Sequence, residues 1–174
     1  MPANQIPQVL TDFRTYLGDR GEQWVGIASV EIPEIQMITA DISLAGMAGK
    51  MSVPLTGQTD SIKITYSGPI ATMQQIRASS PHAKLITSRG NIQIYDTVSG
   101  NYRDENITVI TRCLATTLKI GDFKKEGTME GSVAYEVDYL KVTIGGETAL
   151  EIDKWNSIYV IDGVDYLADV RANT

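Results

Sequence analysis

Histidine and cysteine occur once each in this 174-residue chain, as His82 and Cys113, and phenylalanine and tryptophan only twice each. A single cysteine excludes an intrachain disulfide framework. No Cys/His cluster has metal-ligand spacing, and no Gly-rich phosphate loop leads from a strand into a helix. His82 lies between Pro81 and Ala83 beside Ser79-Ser80, a loop setting without the partners a general base needs. The expectation is a protein that is not an enzyme, with no catalytic, cofactor-binding or metal-ligating residue and no cofactor. Cys113 sits in the apolar run Val109 to Leu118 and reads as a small buried hydrophobe.

Basic residues are also in short supply. Fifteen Lys and Arg against 21 Asp and Glu give a formal charge of −6 and a pI near 4.7, a balance that repels nucleic acid rather than wrapping it. No apolar run approaches the length of a membrane span, and the start Met1-Pro2-Ala3-Asn4-Gln5-Ile6-Pro7 has neither a basic nor an apolar leader region. No membrane anchor is expected, and the protein is expected to stay in the cytosol where it is made unless something else exports it.

What the chain does contain is β-forming sequence. The hydrophobic fraction is an ordinary 43%, supplied largely by β-branched residues and tyrosine, which favour strands over helices. The length fits one domain spanning 1–174, large enough to bury a core without disulfides or metal. There are no internal repeats, low-complexity tracts or linkers.

Ser61 to Tyr66 alternates, with Ile62, Ile64 and Tyr66 on the core face. Val9 to Gly18 suits a strand or an extended N-terminal arm. Trp24 to Ile32 reads as a strand ended by Pro33, and Met37 to Leu44 as another, followed by a Gly-rich loop over Ala45 to Lys50. Ile70 to Ala78 has helical spacing, with Pro69 suited to the first turn. After a strand over Leu85 to Tyr95, the long run Ile107 to Ile120 changes phase, from Ile107, Val109, Thr111 and Cys113 to Leu114, Thr116, Leu118 and Ile120. A bulge or bend explains such a change, because one inserted residue flips every later side chain. Gly121 to Gly131 reads as a polar connection. Val133, Tyr135 and Val137 then share a face, and the apolar phase switches at Leu140, Val142 and Ile144. Two long strands, each with a switch, suit an orthogonal sandwich or an assembled barrel.

The last thirty residues are the most specific. Gly145-Gly146, a strand, a turn through Lys154-Trp155-Asn156, a second strand and the turn Asp162-Gly163 follow one another, an ordinary β signature in its turns. The run Leu150-Glu151-Ile152-Asp153, then Asn156, then Asp162-Gly163-Val164-Asp165 and Leu167 ending near Arg171 resembles the C-terminal signature of the major tail tube proteins of contractile-tailed bacteriophages and phage-tail-like bacteriocins (tailocins). Gly26 to Pro33, the Ala45-Gly46-Met47-Ala48-Gly49 loop and the following Val53-Pro54-Leu55 resemble further pieces of that family in the same order.

The resemblance implies a mainly β fold of two packed antiparallel sheets with one flanking helix, assembling into a hexameric ring with an inner β-barrel. Rings would stack into the inner tube of a contractile tail, inside a sheath. The implied partners are copies of the chain itself, the tail sheath protein, and baseplate and tail terminator proteins, with DNA passing through the lumen without specific binding where the particle carries it. The implied location is a virion tail or tailocin particle, assembled in the bacterial host cytoplasm. The Ala45 to Thr59 loop, with Gly46, Met47, Gly49, Met51 and Val53 as candidates for contact between subunits, and the N-terminal arm Val9 to Gly21 are the candidates for contacts between rings. Glu136 and Asp138 are the candidates for the lumen, where repetition would turn them into a negative wall that DNA does not adhere to. A type VI secretion-like tube shares the architecture, and a small-ligand-binding β-barrel remains open from strand count alone.

Overall fold

The alternations in the sequence become long strands. The computed structural model describes residues 4–18, 21–46, 48–69 and 71–174. In chain order the elements are β1 (Gln5–Leu17), β2 (Glu22–Gln23), β3 (Ser29–Glu31), β4 (Met37–Ile42), β5 (Met51–Thr59), β6 (Lys63–Gly68), α1 (Met73–Ala78), β7 (Lys84–Asp96), β8 (Tyr102–Lys119), β9 (Gly131–Ile144), β10 (Glu147–Asp153), β11 (Ile158–Ile161), β12 (Val164–Asp165) and α2 (Ala168–Asn173). All strand pairings are antiparallel. The architecture is mainly β, as expected.

The main sheet runs in the order β12-β11-β10-β9-β8-β7-β1-β2, with β6 and β3 branching from β9. The branch point builds two layers. On one edge of β9, residues 131–136 pair with β6 and residues 139–144 pair with β10, while β8 runs along the other edge throughout. One long hairpin therefore serves two layers that close on a common core. Ile64, Tyr66, Val133 and Tyr135 come from the β6 side and Ile86, Val109, Leu140 and Ile152 from the other, all in one buried cluster. Fully burying an aliphatic side chain of this size is worth about 1.5–3 kcal/mol.

Both strands of the hairpin bulge at the junction. In β9 the register steps from Arg112↔Tyr139 to Cys113↔Val137, so Asp138 is the extra residue, and the buried set changes from Val133, Tyr135 and Val137 to Leu140. That is where the sequence pattern puts the switch. In β8 the switch comes later than expected. Ala115 still packs on the core while Leu114 is 46% exposed, and the extra residue is Thr116, between Ala115↔Tyr135 and Thr117↔Ala134. Leu114 is apolar but outward, so a reading by hydrophobicity alone misplaces the bulge by two residues.

Three local expectations also change. Trp24 to Ile32 is not one strand, because Gly26 (φ 88°) turns the chain and only Ser29–Glu31 pairs with β6. The helix starts at Met73 rather than near Pro69, because Thr72 accepts from the Gln75 N–H while the Gln75 side chain accepts from the Thr72 N–H, a reciprocal cap. Ile70 lies outside the described residues. A second helix, α2, follows β12; it has no buried residue and so leaves no periodic trace in the sequence.

Candidate assembly surfaces

On the face of the main sheet turned away from the core, one row of side chains is polar from β1 to β10, while Leu85, Ile110 and Leu114 lie in other rows of the same face. Register puts Asp12 and Arg14 of β1 beside Asn91 and Arg89 of β7, Arg89 beside Thr108 of β8, Thr108 beside Thr143 of β9, and Thr143 beside Thr148 of β10. None of the described residues forms a layer over this face. It ends on one side at β1, whose edge is covered by β2 only at Tyr16 and Leu17, leaving a long run of backbone groups unpaired among the described residues. Free edges of that length are normally blunted or paired.

At the other side the C-terminal signature builds a charge network around a turn. Asp153 accepts from the backbone N–H of Trp155 (3.0 Å) and Asn156 (3.1 Å) and from Asn156 Nδ2 (2.8 Å). Arg112 reaches Asp153 (3.6 Å) and donates Nε to both oxygens of Asp138, which also accepts from Trp155 Nε1 at 2.9 Å. Burial works to raise the Asp153 carboxyl, but the Asn156 hydrogen bonds, the Arg112 charge and the Trp155 N–H outweigh it and hold it below its ordinary value. Alongside, Glu151 accepts from Tyr139 Oη (2.9 Å) and Lys141 (3.1 Å). Burial first, then that hydrogen bond and the nearby carboxylates, push Tyr139 up to about 12.

Glu136 and Asp138 are thus in different situations from the free carboxylates the sequence suggests. Glu136 accepts from Ser61 Oγ (2.6 Å) and lies 3.6 Å from Lys154, and Asp138 pairs with Arg112. Each already has a cation.

The segment 45–59 is a loop only in its first part. Met51–Thr59 forms β5, which pairs with β4 as a separate two-stranded sheet. Met51 and Val53 are strand residues, Gly46 and Gly49 are exposed near the hairpin tip, and Met47 lies outside the described residues. The hairpin carries exposed Met37, Ile38, Ile42, Leu44, Met51 and Leu55, far more apolar surface than a two-stranded sheet can bury by itself. Gly57 joins it to the body: its φ is +70°, and a Cβ there would meet the Leu167 side chain at 2.6 Å.

A second apolar surface lies where β1, β7 and β8 extend past the overlying layer. Pro7, Leu10, Phe13, Ile32, Ile92 and Ile107 line an open groove of about 380 Å³. Sequence reading missed it, because Leu10 and Ile32 look like core residues and are 50% and 56% exposed.

A model of the family described as phage tail tube protein FII matches residues 7–174. The chain belongs to that family. It is 25% identical over 173 residues to the tail tube protein of Escherichia phage P2, covering 97% of each chain. Its fold resembles the sheath-tube complex of an extracellular contractile injection system (PVC) in the extended state, with a TM-score of 0.54 and 18% identity over 79% of this chain and 91% of the other. It also resembles the PVC sheath/tube terminator, at a TM-score of 0.53 and 18% identity over 79% and 96%, and the tube-terminating cap of the anti-feeding prophage, at 0.51 and 18% over 79% and 90%.

Within this tail tube family member, no group of three or more His, Cys, Asp or Glu among the described residues is placed to hold a metal. His82 is exposed in a bend, and Cys113 is buried, its thiol pushed up to about 12 chiefly by burial. No helix among the described residues is long and apolar enough to cross a membrane. The surfaces open to function are the polar sheet face, the β1 edge, the hairpin and the apolar groove. The edge and the groove had no local motif to reveal them, since both arise from strands that outrun their neighbours.

Proposed function

We propose that the protein is the inner-tube subunit of a contractile tail. Copies join edge to edge into a closed ring, six to a ring, and rings stack inside a sheath, with terminator and baseplate proteins at the ends. The observation that carries this reading is the polar row spanning β1, β7, β8, β9 and β10 together with the β1 edge, which β2 covers only at Tyr16 and Leu17: a solvated polar face alone is ordinary for an antiparallel sheet, but beside an open edge it suits a sheet continued through neighbouring copies around an aqueous bore. Membership of the tail tube family supports the same reading, and favours a phage-type tail over a secretion apparatus. A monomeric ligand-binding barrel does not suit this sheet, whose path ends at two separate edges.

The hairpin and the groove supply the apolar contact between copies, with Gly46, Gly49, Met51 and Val53 on the hairpin side. Glu136 and Asp138 belong to the wall as paired rather than free charge, so the bore avoids DNA through a hydrogen-bonded surface of Thr, Asn, Gln and matched ions. The subunit contributes structure, not catalysis, and assembly takes place in the bacterial host cytoplasm. Electron microscopy of the concentrated protein tests the reading. Rings or tubes of uniform bore are expected; a monomer at every concentration, by light scattering and by microscopy, overturns it.

A further inference from the structure

Arg14 and Arg89 are register partners on β1 and β7, both exposed on the polar face. Like charges directly opposite across a strand pair are destabilising, and neither has a carboxylate within ion-pair distance among the described residues. Arg89 leans 5.6 Å over the Tyr16 ring, and its guanidinium has no hydrogen-bond acceptor among the described residues. The charge on this face is graded along the sheet. Arg14, Arg89 and Asp12 leave one net positive charge on β1 and β7; Arg112 and Lys119 against Asp104 leave one on β8; Lys141 against Glu136 and Asp138 leaves one negative charge on β9; and β10 to β12 carry Glu151, Asp153 and Asp165, all acidic and each ion-paired within the chain, to Lys141, Arg112 and Arg171. Beyond them lies Asp162, exposed in the β11–β12 turn, with no ion pair among the described residues. Its N–H donates to the Ala149 carbonyl at 3.0 Å, which puts it at the end of the row that runs from Arg14 and Arg89 through Thr108 and Thr143 to Thr148.

We infer that the Arg14–Arg89 pair is a docking site for the acidic β10–β12 edge, Asp162 foremost, of a second copy of this chain. The partner is another copy because one molecule carries both complementary edges at opposite ends of one face, so head-to-tail contact brings plus against minus and repeats without limit until it closes. The inference rests on the tube reading and specifies how that ring selects its edges.

The test uses two full-length variants, Arg14→Glu with Arg89→Glu, and Asp162→Lys with Glu151→Gln. Each is expected to fold, with a wild-type circular dichroism spectrum, and to need a concentration roughly a hundredfold higher for assembly, because like charges then meet at every edge contact. Mixed in equal amounts, the two are expected to form tubes again, since each variant's altered edge matches the other's. The milder Arg14→Gln with Arg89→Gln variant keeps the test meaningful if the reversal impairs folding, and is expected to assemble weakly and to lose the wild-type sensitivity of assembly to salt. Arginine variants that assemble like wild type, or a mixture that stays unassembled, overturn the inference while leaving wild-type tubes in place. If the arginine variants form normal tubes but lose retention of a labelled DNA duplex, the pair serves phosphate and the inference is equally overturned. A wild-type protein that forms no tubes removes the tube reading itself.

Discussion

Arg112 faces Asp138 across the β-bulge in β9, its Nε 3.0 and 3.1 Å from the two carboxylate oxygens. Asp138 is the residue that the β8–β9 register skips, so its side chain is aimed by the bulge rather than by ordinary alternation. Arg112 also stacks 5.7 Å over Tyr139 and reaches Asp153. The pair therefore pins the corner where one layer passes into the other. Replacing Arg112 with Met keeps the aliphatic packing and removes the cation from two carboxylates. A loss of about 1–2 kcal/mol is expected by urea unfolding of the unassembled subunit, less than for a fully buried pair because the arginine side chain is 38% exposed. An unchanged midpoint would show that the corner is held by backbone pairing alone.

Asp153 gives the fold an acid sensitivity with a definite sign. Its folded pKa is depressed, so its contribution is fully present above the ordinary carboxylate value of about 4 and is lost as pH falls through the depressed value. Thermal melts of the subunit should fall as pH drops from about 4 through that depressed value, and Asp153→Asn should flatten the fall. Asp153→Ala leaves two backbone N–H groups and the Asn156 amide without their acceptor, and is expected to cost about 2–3 kcal/mol at neutral pH.

Tyr135 predicts a substitution of the opposite sign. Its ring is fully buried, packs edge-on against Tyr66 with centroids 5.8 Å apart, and its hydroxyl has no hydrogen-bond partner among the described residues. Burial pushes its ionisation well above the ordinary tyrosine value. Tyr135→Phe keeps the aromatic contact and removes a desolvated hydroxyl, so it should be neutral or stabilise by about 1 kcal/mol. A clear loss of stability in denaturant titration would mean that the hydroxyl is satisfied in solution.

The contrast between these sites shows what the sequence makes legible. Ile62, Ile64 and Tyr66, and Val133, Tyr135 and Val137, are buried as their alternation requires, because a strand with one face on the core has no other way to satisfy both faces. The Gly145-Gly146 turn, with φ of 59° and 88°, is equally direct, since a two-residue hairpin turn with both central residues left-handed is the conformation that glycine pairs favour. Thr116 as the bulge, the split of the Trp24 to Ile32 segment and the β4–β5 hairpin were not legible. Each depends on which strand lies alongside, a long-range fact that local pattern does not encode. The same holds for the candidate sites: Glu136 and Asp138 stand out as carboxylates, while their cations, Lys154 and Arg112, lie 18 and 26 residues away and meet them only through the fold.

The hairpin offers the most direct separation of folding from assembly. Its apolar residues are exposed in the subunit, so a polar substitution there removes nothing from the core. Met51→Asp together with Leu55→Asp should leave the melting temperature of the subunit within a few degrees of wild type, since surface changes are usually worth about half a kcal/mol or less. The same variant should fail to form tubes, because a carboxylate would have to be buried without a partner in the contact with the next copy. Gly57→Ala works by the other route. At φ +70°, with Leu167 in the path of the new methyl group, it should lower stability by about 1–3 kcal/mol and loosen the hairpin from the body, so that tubes form only at raised protein concentration. Tubes of normal length from the double aspartate variant would show that the hairpin faces solvent in the assembly, and would move the apolar contact to the groove between Leu10 and Ile107 alone.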